Sequence, residues 1–280
     1  MKNNLINRIV VGLAIGIVFA AVILTSYFID KVIFSVFLCL LIAVAVLEVR
    51  HALGERIPRQ LNLLIFVFAL CFGLPYFVFG FGGIVLFTLC VFVAGSAVTV
   101  LHGFSANVLQ NFAFLLVYPA LTLSSLFFVN SLPFGMTGVL LTVLVSCFTD
   151  MFAYFVGSAF GRHLLCPQIS PKKTVEGAVG GVAGGLIGAV VTFLAVEVLQ
   201  WVGPGLSLSV GVKIFYYVII GIFGSVCTQV GDLTASLLKR NCGIKDYSRL
   251  LGSHGGVMDR VDGLMFNACF VALLFSFFAV

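Results

Sequence analysis

The residues best placed to do chemistry are the carboxylates and cations that an otherwise apolar chain retains. Asp232, Ser236, Lys239 and Arg240 stand at i, i+4, i+7 and i+8, which puts them along one face of a helix. Asp259 and Asp262, at i and i+3, share a face of a second helix that leads into the last apolar run. Between the two helices lie Lys245, Asp246, His254 and four glycines, Gly243, Gly252, Gly255 and Gly256, which permit tight turns. Helix ends that carry carboxylates and are joined by such an excursion can converge on one divalent cation. Oxygen ligands suit Mg²⁺, which keeps waters and substrate phosphates in its shell.

A second polar stretch precedes these helices. Ser170 followed by Pro171 reads as a helix start, with Ser as N-cap and Pro at the first helical position. Lys172 and Lys173 beside a helix N-terminus would suit a phosphate. Upstream, Asp150 falls within an apolar run, with Tyr154, Gly157 and Gly161 continuing its helical stripe. An ionisable group in that position is a candidate for function because burying it unpaired is costly. Downstream, Gly177, Gly181 and Gly185 form one row and Gly180, Gly184 and Gly188 another, a pattern of small residues that lets helices pack closely. Asp30, Glu48 and Glu55 are read as solvated at or near span ends, and Glu197 as interfacial beside Trp201; none of the four requires a function.

The elements that must position these residues follow from composition. The 280 residues are 61% hydrophobic and 9% charged, where a soluble domain carries about 25% charged residues. The apolar runs have lengths of about 17 to 25 residues, enough for a helix to cross a bilayer. They are apolar all round, which excludes a membrane barrel. The expected fold is therefore all-α and polytopic, with about nine transmembrane helices: 9 to 29, 32 to 49, 61 to 79, 83 to 101, 109 to 129, 137 to 158, 177 to 201, 211 to 235 and 263 to 280. With a cytoplasmic N-terminus, this topology places 13 Lys and Arg on one side and only Lys31 and Lys213 on the other, the asymmetry expected of cytoplasmic loops. The first run is read as an anchor, since no small-residue cleavage site follows it. The eight cysteines show no CxxC spacing and the four histidines no HExxH, so neither zinc nor redox chemistry is indicated. No GxxxxGK[ST] loop is present.

The segment Ser236 to Asp262 resembles the signature of the phosphatidate cytidylyltransferases, also called CDP-diacylglycerol synthases. The resemblance rests on Ser236, Lys239, Arg240, Lys245, Asp246, Ser248, His254, Gly255, Gly256, Asp259, Arg260 and Asp262. The segments DMFAYFVGSAFGR and SPKKTVEG are also similar, so the likeness covers roughly residues 150 to 280. This chain departs from the family at Gly252 and Ser253, where Pro-Gly is common, at Ser158, where a basic residue is common, and at Val175, where Trp is common.

The resemblance implies transfer of a cytidylyl group from CTP to phosphatidate, assisted by Mg²⁺ with room for a second ion, at the cytoplasmic face of the inner membrane. It divides the chain into N-terminal helices, 1–130, and a catalytic region, 131–280. Asp232, Asp259, Lys239, Asp246, His254 and Asp262 would be catalytic, with Asp232 and Asp259 as the metal ligands. Ser170, Lys172, Lys173, Arg240, Lys245, Arg260 and Asp150 would bind substrate. Membrane lipid is the expected surrounding partner, nucleic acid is not expected, and a homodimer is compatible. The acid-rich pattern of the CDP-alcohol phosphotransferases is not found. A transporter would need polar groups near the midplane with access from both sides, whereas here they gather towards one face.

Overall fold

The computed structural model describes residues 2–202, 205–252 and 255–277, with side chains at residue 14 and from residue 16 onward within those ranges. Its helices are α1 (Lys2–Phe28), α2 (Val32–Leu53), α3 (Asn62–Cys71), α4 (Leu74–Leu101), α5 (Ala106–Leu115), α6 (Thr122–Ser131), α7 (Gly135–Phe160), α8 (Val175–Phe193), α9 (Val210–Ile219), α10 (Ser225–Asn241) and α11 (Met258–Ser276). Among the described residues, six helical stretches are long and apolar enough to cross a membrane: Val32–Arg56, Leu74–Leu101, Ala106–Ser131, Gly135–Phe160, Val175–Val198 and Val210–Asn241. Gly16–Phe28 and Arg59–Cys71 are shorter apolar helices. The expectation of a mostly helical chain with several membrane-length helices therefore holds. Outward faces are as oily as interiors: Val100 is 75% exposed and Leu101 83%, which suits lipid as the solvent.

Local breaks have local causes. The break expected between residues 79 and 83 falls on Gly80, whose φ of 65° bends α4. Pro119 lies in the wide π-helical turn Leu116–Leu121 that joins α5 to α6, where its missing N–H removes one ladder bond.

The chain separates into two compact units, residues 1–127 with 242–260, and residues 128–241 with 261–280. The loop that carries most of the signature thus groups with the N-terminal helices. In that unit α2 supplies a fully buried stripe of Ile42, Ala45, Val46 and Val49. Arg50 closes the turn that follows: its guanidinium donates to Asn62 Oδ1 at 2.9 Å, Gly54 O at 2.9 Å and Ile57 O at 3.0 Å.

In the second unit, α7 and α8 pack through the glycine rows that the sequence displays. A Cβ at Gly184 would lie 2.4 Å from the Phe148 carbonyl oxygen, and one at Gly188 would lie 2.7 Å from that of Leu144. Only hydrogen fits at either position. Asn267 of α11 donates to Thr142 O at 3.0 Å and Ser146 Oγ at 3.1 Å, and Ser146 also meets Thr228 Oγ1 at 3.1 Å. Such polar contacts join helices in a setting where apolar surface gives no net drive.

Two expectations are corrected. The chain is not wholly helical, because β1 (Leu164–Cys166) and β2 (Ser170–Thr174) form a short antiparallel hairpin. Ser170 and Pro171 therefore start a strand rather than a helix. The residue before a proline is biased to extended conformations, and the hairpin offers backbone partners that a helix start there would forfeit. Glu197 is not solvated at an interface: its side chain is 4% exposed. Lys213 Nζ lies 2.5 Å from it, and the Leu206 N–H and Tyr217 hydroxyl also donate to it.

Candidate active site

The hairpin delivers its cations to the start of α8. β2 ends at Thr174, which becomes the N-cap: its Oγ1 accepts from Gly177 N–H at 3.1 Å. Val175 N–H donates to His163 O at 2.8 Å. Glu176 ties the same corner by accepting from Arg162 N–H at 3.0 Å and His163 N–H at 3.2 Å, with His163 Nδ1 at 2.6 Å. Gly157 and Gly161 of the Asp150 stripe are crowded by Thr174, so α7 and the strand end touch closely.

Within this unit a cavity of about 410 Å³ is lined by Asp150, Tyr154, Lys172, Lys173, Gln229 and Asp232, with apolar side chains between them. Lys173 Nζ sits 2.5 Å from Asp232 Oδ2, with both side chains about one-third exposed or less, at 28% and 33%. That contact joins the two polar stretches that sequence spacing singles out. Asp150 is exposed towards this space rather than buried unpaired, which accounts for its survival in an apolar helix. Gln229, not anticipated from sequence, donates to Ala178 O at 3.2 Å and holds α10 to α8. Arg240 Nε donates to Ile169 O at 3.4 Å, linking the end of α10 to the hairpin turn.

Asp262 lies ahead of the last apolar run and adds charge to the same unit. Its withdrawal from water, and next the charge of Asp232, push its carboxyl above the usual carboxylate range; Lys239 pulls it back and Asp150 pushes it further. Asp262 is thus near enough to Asp232, Lys239 and Asp150 to feel their charge.

The loop 242–258 belongs to the other unit. Lys245 and Asp246 are exposed there, as is Arg260 at the head of α11, and Ser236 on α10 is half-buried. Asp259 Oδ2 accepts from Tyr247 N–H and Gly256 N–H, both at 2.9 Å. Sequence reading missed the second carboxylate of this loop, Glu48 of α2. Far from being solvated, Glu48 is 6% exposed, and it accepts from Ser248 Oγ at 2.6 Å, Val257 N–H at 3.0 Å and Met258 N–H at 2.7 Å. The paired glycines of the signature follow from these contacts. Gly255 has φ 77°, and a Cβ there would meet Asp259 Oδ2 at 2.8 Å; one at Gly256 would meet both Glu48 oxygens at 2.6 Å. The one available signal for Glu48 was an acid retained more than a turn inside an apolar helix. His254 lies outside the described residues.

Among the described residues, no three His, Cys, Asp or Glu are gathered as a metal cage. Mg²⁺ does not need one, since it is held by one or two carboxylates plus waters and substrate phosphates. Asp232, with Asp150 lining the same cavity and Asp262 near enough to feel its charge, is a donor set of that kind. The residues present fit the ion.

Membrane-length helices and a mostly apolar cavity that brings Lys172 and Lys173 to Asp150 and Asp232 define a membrane-type protein with a charged site between its helices. The chain belongs to the Cytidylyltransferase family, whose sequence model it matches over residues 6–278. It is similar to the phosphatidate cytidylyltransferase of Bacillus subtilis (strain 168), 36% identical over 146 residues, which are 52% of this chain and 50% of that protein. The protein of the same name from Brucella abortus (strain 2308) is 39% identical over 148 residues, 52% of this chain and 50% of the relative. That from Staphylococcus haemolyticus is 39% identical over 132 residues, 47% and 46% respectively. The matched stretch spans about half the length of these relatives.

Proposed function

We propose that this chain transfers the cytidylyl group of CTP to phosphatidate, giving CDP-diacylglycerol and pyrophosphate. A phosphate oxygen of phosphatidate attacks the α-phosphorus of CTP, and the bond from that phosphorus to the bridging oxygen of the β-phosphate breaks, with pyrophosphate carrying the electron pair away. The attacking phosphomonoester is already anionic near neutral pH, its second pKa being about 6. No strong general base is required. The barrier lies in bringing anions together, so catalysis consists of positioning and charge neutralisation.

The observation that carries this reading is the contact of Lys173 with Asp232 at a cavity lined also by Lys172 and Asp150. The lysines hold phosphate oxygens, and Lys239 and Arg240 on the face of α10 that bears Asp232 extend that cationic rim. Asp232 would hold Mg²⁺, and Asp262 would support it. Bound there, the ion would neutralise phosphate charge and stabilise the leaving pyrophosphate. The likeness to the family signature adds Asp259 as a further ligand, Asp246 and His254 as catalytic groups, Ser170, Lys245 and Arg260 as substrate contacts, and a second ion. The apolar wall of the cavity suits a substrate with acyl chains.

Nine spans with a cytoplasmic N-terminus best explain the distribution of Lys and Arg, and they set the site on the cytoplasmic face of the inner membrane, where CTP is available. The test is an assay of the purified chain with labelled CTP and phosphatidate. Label should pass into the lipid extract only when phosphatidate is supplied, and EDTA should prevent it. Label that stays water-soluble in the presence of both substrates and Mg²⁺ would overturn the reading.

A further inference from the structure

Glu48 is a buried carboxylate that the proposed chemistry leaves without a task, and its donors all come from the segment that leads into Asp259. A buried carboxylate is costly unless it is hydrogen-bonded, and Glu48 receives three donors from a segment about 200 residues further along the chain. Two of them, Val257 N–H and Met258 N–H, are orphan donors at the N-terminus of α11, where negative charge is also favoured. The third, Ser248 Oγ, anchors the opposite end of the same segment and itself accepts from Leu250 N–H at 3.1 Å. Asp259 Oδ2 accepts from Tyr247 and Gly256 within that segment, each next in sequence to a donor of Glu48, Ser248 and Val257 respectively.

We propose that Glu48 is a positioning residue for the reaction: by holding Ser248 at one end and Val257 and Met258 at the other, it fixes the direction in which the carboxylate of Asp259 points. The role rests on the reading of Asp259 as a metal-binding group. Glutamine cannot replace Glu48, because three donors converge on its two oxygens and an amide NH₂ would face one of them. Aspartate is one methylene shorter and cannot reach both ends of the segment at once.

The test uses the full chain in detergent, comparing Glu48→Gln with wild type by hydrogen exchange and by kinetics. Exchange should quicken across 247–258, at Val257 and Met258 above all, while the α7 and α8 amides stay protected. Formation of CDP-diacylglycerol should fall by about ten- to hundredfold, the cost typical of losing a group that orients a metal ligand, with half-saturating Mg²⁺ raised. Unchanged exchange would overturn the clamp. Faster exchange with wild-type kinetics would overturn the positioning role. If Glu48→Gln does not fold, Ser248→Ala removes a single donor, and unchanged exchange at Val257 in that variant would overturn the clamp equally. A wild-type chain that forms no lipid product overturns the proposed reaction, and the positioning role with it, whichever way the exchange falls.

Discussion

The hairpin that carries Lys172 and Lys173 and the loop that precedes Asp259 are held by opposite means. The hairpin leads into α8, which is seated on α7 by glycines so tightly that a methyl at Gly184 would fall 2.4 Å from a backbone oxygen. Charge enters at its start, where Glu176 accepts from Arg162 N–H and His163 N–H. In the loop the close contacts are themselves with carboxylates, Gly255 against Asp259 and Gly256 against Glu48, and these two carboxylates collect five donors. The glycine face of α8 should therefore fail on added volume with no change of charge, while the loop should fail on neutralisation of Glu48 with no change of volume. Both carry groups to which the proposed reaction gives a task, so each sensitivity is measured beside product formation.

The largest effect expected is at Asp232. Asp232→Asn should abolish Mg²⁺-dependent product formation, a loss on the order of 10²–10³-fold or more, the scale of removing one electrostatic stabiliser of a transition state. Stability should hardly change, because the ion pair with Lys173 is partly exposed and such pairs are worth about 1 kcal/mol or less. An active variant, measured with labelled CTP, would break the assignment of the metal to this side of the comparison.

Lys173→Gln comes next. A charge-assisted hydrogen bond is worth about 1.5–3 kcal/mol, which corresponds to roughly ten- to hundredfold in kcat/KM. The loss should appear chiefly as weaker substrate binding. A wild-type KM for both substrates would show that Lys173 only neutralises Asp232.

The same contrast explains what could be read from residues alone. The α7–α8 seating was legible because it is periodic: Gly177, Gly181 and Gly185 with Gly180, Gly184 and Gly188 announce a packed face whatever the partner helix is. The face bearing Asp232 and Lys239 was legible for the same reason, since both stand on the unbroken helix α10. Glu48 was not, because its partners follow at a separation of about 200 residues and two of the three are backbone N–H groups, which no side-chain pattern encodes. The start of α8 was misplaced by four residues because Ser-Pro suits a strand edge as well as a helix start. What decided between them was pairing with Leu164–Cys166, a contact with no signature in Ser170 or Pro171. The paired glycines at 255 and 256 were visible as a motif, but their reason, two carboxylates pressed against them, needed the structure.

The packing side of the comparison is sharpened by Gly184→Ala. Its methyl would strike the Phe148 carbonyl, the Phe152 side chain stands 2.6 Å away, and neither backbone can yield without moving a helix. Overpacking of this kind costs about 1–3 kcal/mol, to be read as a lower melting temperature in detergent. Gly211→Ala is the control, since nothing lies within 4 Å of a Cβ there. Equal melting temperatures for the two variants would mean that the glycine rows do not seat α8.

The smallest effect should come from Thr174→Ala, where packing and hydrogen bonding meet in one side chain. Thr174 caps α8 through Gly177 N–H, and the loss of an N-cap costs about 1 kcal/mol. Its side chain also fills the space beside Gly157 and Gly161, so truncation should loosen the strand end that presents Lys172 and Lys173. Thr174→Ser keeps the cap and removes only the methyl. If the cap dominates, serine should restore both the melting temperature and the KM of the phosphate-bearing substrates. If the methyl dominates, serine should recover stability only in part and leave KM raised. The second outcome would show that the lysines are aimed by the contact of β2 with α7, rather than by the start of α8 alone.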